Sequence, residues 1–116
     1  MARHVLVALT NAADDREDEY NDWYDNTHLQ DVLNVPGFVS AQRFRLSAAQ
    51  RMENPPYKYL AIYEIETDDI HETIGTLCKR SGTALLPISD ALHARRDAPV
   101  YEPITPVITK SAAGSR

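Results

Sequence analysis

The segment Tyr57-Lys58-Tyr59-Leu60-Ala61-Ile62-Tyr63-Glu64-Ile65-Glu66 constrains the fold most, because its alternation suits only an extended backbone. Tyr57, Tyr59, Ala61 and Tyr63 fall on one face, and Lys58, Leu60, Ile62 and Glu64 on the other. Aromatic and β-branched residues fit a pleated, half-buried surface, which makes this the clearest predicted strand. Three other segments read as extended. Val5 to Thr10 is a β-favouring run without polar alternation, as expected of a strand covered on both faces. Phe38 to Leu46 follows the break at Val35-Pro36-Gly37 and sets Val39, Ala41, Arg43 and Arg45 against Phe38, Ser40, Gln42 and Phe44. Val100 to Ile108 is strand-like in composition, with Pro103 and Pro106 pushing it toward an edge or an arm.

Helical patterns separate these strands. Residues 18–33 read as one helix, with Asp14 and Asp15 as caps and Glu17, Asp18 and Glu19 placing negative charge in its first turn, where the dipole favours it. Thr67, Asp68 and Asp69 cap a second helix, whose Ile70, Ile74, Leu77 and Cys78 follow the spacing of a buried stripe, and Gly82 stops it. Residues 84–96 are periodic but broken by Pro87, which predicts a short helix from Ser89 to Ala94. Ser47 to Pro56 is a polar loop. The order β-α-β-β-α-(α)-β predicts an α+β fold, a ferredoxin-like sandwich. Two helices cover only one side of such a sheet. Leaving the other side in water is costly, so a homodimer with its sheets face to face, a dimeric α+β barrel, is expected, with Tyr59, Ala61 and Tyr63 at the interface. One pocket per subunit is expected between the sheet and the helix of residues 18–33.

Composition sets limits. The 116 residues suffice for one domain, expected over 1–109, with 110–116 as a disordered tail. The formal charge of −5 and scattered basic residues argue against a nucleic-acid partner. One cysteine, Cys78, leaves no internal disulfide, and no segment reaches the roughly 20 apolar residues of a membrane span. The apolar run at the start is too short for a signal peptide, so the expected location is cytoplasmic.

The chemistry concentrates in Tyr20-Asn21-Asp22-Trp23-Tyr24-Asp25-Asn26-Thr27-His28-Leu29. In a regular helix Asn21, Tyr24, Asp25 and His28 lie at i, i+3, i+4 and i+7, one stripe carrying a carboxylate, a phenol and an imidazole. His28, with an ordinary pKa near 6.5, is the first acid/base candidate. Asp25 is placed to orient it, although an ordinary solvated carboxylate is an equal reading, and Tyr24 either packs or presents its hydroxyl to a ligand. Trp23, Tyr59 and Tyr63 are candidate pocket residues whose ordinary role is packing. Arg43 is a candidate anion binder whose ordinary role is a salt bridge with Glu64 or Glu66. Asp25 and His28 alone do not make a metal site, and nothing in the sequence asks for His28 or His71 as a haem ligand.

Three blocks resemble the signatures of the EthD-like group within the dimeric α+β barrel superfamily. They are Trp23-Tyr24-Asp25-Asn26-Thr27-His28-Leu29, Val35-Pro36-Gly37-Phe38 and Tyr59-Leu60-Ala61-Ile62-Tyr63-Glu64, in that order, within a similarity covering most of residues 3–108. Gln30 stands where near members commonly carry Pro. The resemblance implies a pocket more than a reaction, since the superfamily includes cofactor-independent monooxygenases, isomerases, cyclases, dehydratases and haem-degrading enzymes. Together the readings lead to a cofactor-independent enzyme using His28, with Asp25 and Tyr24, for isomerase, dehydratase or lactone chemistry on a cyclic or aromatic oxygenated metabolite. The alternatives are a cofactor-free monooxygenase and a non-catalytic ligand-binding protein.

Overall fold

The computed structural model describes residues 1–111. Strand β1 (Ala2–Thr10) leads to helix α1 (Glu17–Trp23), a π-helical segment (Tyr24–His28) and helix α2 (Leu29–Leu33), which run on as one rod. Strands β2 (Phe38–Arg45) and β3 (Tyr59–Thr67), helix α3 (Ile70–Arg80) and the two-residue strand β4 (Val100–Tyr101) follow. The sheet is antiparallel in the order β2-β3-β1-β4, the ferredoxin-like arrangement.

Local chemistry sets each boundary. The expected caps Asp14 and Asp15 do not cap α1. Asp15 takes a left-handed φ of 61°, and the rod starts at Arg16, whose guanidinium reaches Glu19 and Asp90. The acidic first turn then faces the positive end of the helix dipole. Gly37 turns the chain from α2 into β2 at a φ of 101°, and a Cβ there would sit 3.1 Å from the Thr73 side chain. Asp69 caps α3 by accepting from the Glu72 amide at 3.1 Å.

The sheet buries beneath its own helices the very face expected to meet a second copy. Register pairs Leu6 with Tyr63, Ala8 with Ala61 and Thr10 with Tyr59, and these side chains are buried beneath the helices with Ile65. The uncovered face instead carries Val5, Val7 and Leu9 of β1, Leu60 and Ile62 of β3, and Phe44 of β2. In α3 the buried position is Thr73, whereas Cys78 is exposed.

Residues 89–94 form no helix, because their backbone groups are already committed to the chain that leaves β1. The Ala13 amide donates to the Ala91 carbonyl, the His93 amide to the Asn11 carbonyl, and Leu9 and Asp97 exchange both bonds. The segment thus prolongs the sheet edge irregularly, and its Leu86 and Ala91 are buried against the core. The strand expected over 100–108 stops at Tyr101, since Pro103 and Pro106 have no amide hydrogen to give a ladder. Lys110 and Ser111 are exposed, and the rest of the expected disordered tail lies outside the described residues. No helix among the described residues is long and apolar enough to cross a membrane.

Candidate functional site

The π-helical segment decides which side chains meet. Its backbone closes with the Leu29 amide donating to the Tyr24 carbonyl, five residues back, so one extra residue sits in the turn. The stripe expected of a regular helix is therefore broken. Tyr24 turns inward and is 2% exposed, while Asp25 turns outward and is paired with Arg43 at 2.7 Å. Asp25 does not orient His28, as the stripe had implied. His28 packs against Trp23 and Tyr24, with ring centroids 4.5 and 4.9 Å away, and its Nδ1 is buried without a hydrogen-bond partner.

Arg43 is a structural clamp, and its partners are neither Glu64 nor Glu66. It projects from β2 onto the helical rod, donating to Asp25 and, at 2.9 Å, to Asn21 Oδ1. Its guanidinium lies 4.4 Å from the Tyr24 ring centroid and 5.2 Å from those of Tyr20 and Tyr59. Tyr59 is occupied as well: its hydroxyl donates to Glu17 and accepts from Asn21 Nδ2 at 3.3 Å. Trp23 donates its indole N–H to the Pro87 carbonyl at 3.3 Å. These bonds fasten the rod to the sheet and to the segment before β4.

A partly open cavity of about 160 Å³ lies between sheet and helices. Leu6, Ala8 and Tyr63 form its floor, His28 and Val32 come from the rod, Leu77 and Ser81 from the end of α3, and Leu86, Arg96 and Ala98 from the irregular segment. Of the candidates read from the sequence, His28 and Tyr63 meet here. Asp25, Trp23, Tyr24, Arg43 and Tyr59 do not line it, although Tyr24 and Trp23 hold the imidazole ring in place.

Two polar atoms in this region are buried without partners, His28 Nδ1 and Tyr63 Oη. Such groups cost free energy unless a ligand or water satisfies them. Burial, with Arg96 and Arg43 adding positive charge nearby, lowers the His28 pKa from 6.5 to about 4. The imidazole is thus neutral at pH 7 and able to accept a proton. Burial also raises the Tyr63 phenol well above its ordinary value, as it does Tyr24, so both remain protonated. The Tyr24 hydroxyl is the neighbour of the Tyr63 hydroxyl, which has hydrogen-bonding capacity left for a guest.

Arg96 escaped the sequence reading. It sits in the run His93-Ala94-Arg95-Arg96, which reads as solvated surface, and only the return of this segment along β1 brings it to the cavity. No group of three or more His, Cys, Asp or Glu side chains among the described residues could hold a metal ion.

Solved structures share the architecture. The haem-degrader MhuD from Mycobacterium tuberculosis is similar with a TM-score of 0.59 and 14% identity, covering 90% of this chain and 98% of that one. The cofactor-independent oxygenase SnoaB from Streptomyces nogalater gives 0.53 and 12%, over 92% and 98%. An EthD family protein from Bacillus halodurans gives 0.51 and 14%, over 90% and all of its chain. At such identities the likeness is one of fold, the ferredoxin-like fold of these proteins. No curated protein matches the chain. The stretch that builds β1, the helical rod, β2, β3 and the start of α3, residues 5–74, matches DUF4286, a domain of unknown function, and the chain belongs to that family.

Proposed function

We propose that the cavity is the active site of an acid/base enzyme acting on a small cyclic, oxygenated molecule, with His28 as the base. The observation that carries this reading is that a neutral imidazole with an unpaired buried Nδ1 and a buried phenol line one partly open, largely apolar cavity. His28 removes a proton from a carbon next to a carbonyl. Tyr63 donates a hydrogen bond to the oxygen on which the electron pair settles, and the imidazolium returns the proton at a neighbouring position or to a leaving oxygen. The sum is an isomerisation, or a dehydration that releases water, and neither needs an oxidant. The role first read for Tyr24, stabilising the oxyanion, passes to Tyr63, while Asp25 is a partner of Arg43. EthD-like kinship within the fold belongs to this proposal, supported by the fold likeness to the Bacillus halodurans protein.

The second reading is a cofactor-free oxygenase, favoured by the fold likeness to SnoaB. The same base would form a carbanion that reduces oxygen directly. Haem does not suit the cavity, because about 160 Å³ holds a single ring and not a tetrapyrrole. No step is therefore routed through it.

Deuterium exchange tests the proposal without the natural substrate. One-ring cyclic ketones and lactones in deuterated water should exchange the acidic C–H faster with the protein, and His28→Gln should remove about 10²- to 10⁴-fold of that acceleration. Exchange unaffected by His28→Gln would exclude the histidine as base. Oxygen uptake accompanying turnover would select the second reading.

A further inference from the structure

The cavity also carries information about what enters it. Its volume is about 160 Å³, and an apolar cavity of about 150 Å³ accepts one benzene-sized ring. Its inner wall of Leu6, Ala8, Val32 and Leu86 offers no polar group to a ring lying against it. Polar side chains line the same cavity. Tyr63, only 2% exposed, has the Tyr24 hydroxyl as its neighbour, and His28 with its unpaired Nδ1 lines the cavity too. Arg96 lines the same cavity while remaining exposed, and, like Arg45, Arg51, Arg80 and Arg95, it makes no ion pair with any described carboxylate. A free guanidinium at the solvent side of an apolar cavity, in a chain of net charge −5, is placed for an anion.

We infer that the cavity takes a monocyclic carboxylic acid bearing a hydroxyl or oxo group, with the ring on the apolar wall, the carboxylate on Arg96 and the ring oxygen at Tyr63 and His28. The inference rests on the proposed reading of this cavity as the reaction site. It adds size and charge: one ring and one negative charge. The carboxylate at Arg96 anchors the ring so that its oxygen reaches the two unpaired groups, satisfying both at once. The cavity volume matches one ring rather than a fused polycycle, and a neutral ring leaves Arg96 unused.

Binding to the purified protein tests the inference, read by calorimetry and by the emission of Trp23, the only tryptophan, whose ring stacks on His28. The probes are toluene, benzamide, benzoate and 4-hydroxybenzoate. The wild type should bind benzoate at least about tenfold more tightly than benzamide. Arg96→Gln should abolish that preference while leaving toluene binding unchanged, and Arg96→Lys should restore part of it. Tyr63→Phe should remove the advantage of 4-hydroxybenzoate over benzoate. Equal affinity for benzoate and benzamide, or a preference that survives Arg96→Gln, would overturn the inference while toluene binding left the cavity reading standing. Failure of all four probes to bind would overturn both.

Discussion

Arg43 and Asp25 separate structural from chemical roles at the level of single residues. Arg43 is 12% exposed and holds the rod through two hydrogen bonds and three aromatic faces, so Arg43→Ala should cost about 2–4 kcal/mol. Asp25 is 56% exposed, so Asp25→Asn should cost about 1 kcal/mol or less and should leave the titration of His28 in place. Urea unfolding of both variants checks the order, and an Asp25→Asn effect as large as that of Arg43→Ala would reverse it. Tyr63→Phe presents the opposite balance. Removing a buried hydroxyl whose one neighbour is the Tyr24 hydroxyl should leave stability within about 1 kcal/mol of the wild type. Turnover should fall about 10²- to 10³-fold, as for loss of an oxyanion donor. A large loss of stability would mean that the hydroxyl is bonded in solution.

At the scale of elements, Gly37 and Asp69 set the ends of the helical rod and of α3 against the sheet. Gly37→Ala meets both a φ of 101° and a contact of 3.1 Å to Thr73, and should destabilise by about 1–3 kcal/mol. Asp69→Ala removes an N-cap bond and should cost about 1 kcal/mol. Thermal unfolding distinguishes them, and a Gly37→Ala variant as stable as wild type would contradict the geometry of the turn. Element order was legible in the sequence because each strand and each long helix carries its own period and its own stop, as at Val35-Pro36-Gly37 and Asp69. Two features were not legible. Nothing in Tyr24-Asp25-Asn26-Thr27-His28 announces a π turn, so the regular 3.6-residue period wrongly joined Asp25 to His28. The pairing of residues 89–99 with the β1 edge arises from tertiary hydrogen bonds, which local pattern does not encode, and Arg96 was hidden with it. The buried face of β3 was misassigned because both of its faces are apolar, leaving alternation without a direction.

For the whole molecule, the open face of Val5, Val7, Leu9, Phe44, Leu60 and Ile62 is the surface a second copy should cover. We expect a homodimer burying about 1,600 Å² and measuring twice the chain mass of 13.0 kDa by light scattering. Ile62→Asp should dissociate it without unfolding the protomer, whereas Tyr63→Asp should unfold the protomer, since Tyr63 lies beneath its own helices. A folded wild-type monomer at micromolar concentration would contradict this assembly. Stability of the whole fold is also linked to the cavity. The folded His28 pKa is lowered below its ordinary 6.5 to about 4, so between these values the unfolded chain binds a proton that the folded chain does not. The His28 contribution should be fully present above about pH 6.5, fall as the pH drops toward 4, and level off below it. The central claim is that a neutral, partnerless imidazole waits inside the molecule, and its titration by nuclear magnetic resonance tests this most directly. The His28 signal, identified by its loss in His28→Gln, should titrate with a midpoint of about 4. A midpoint between 6 and 7 would place the ring in water and contradict the account.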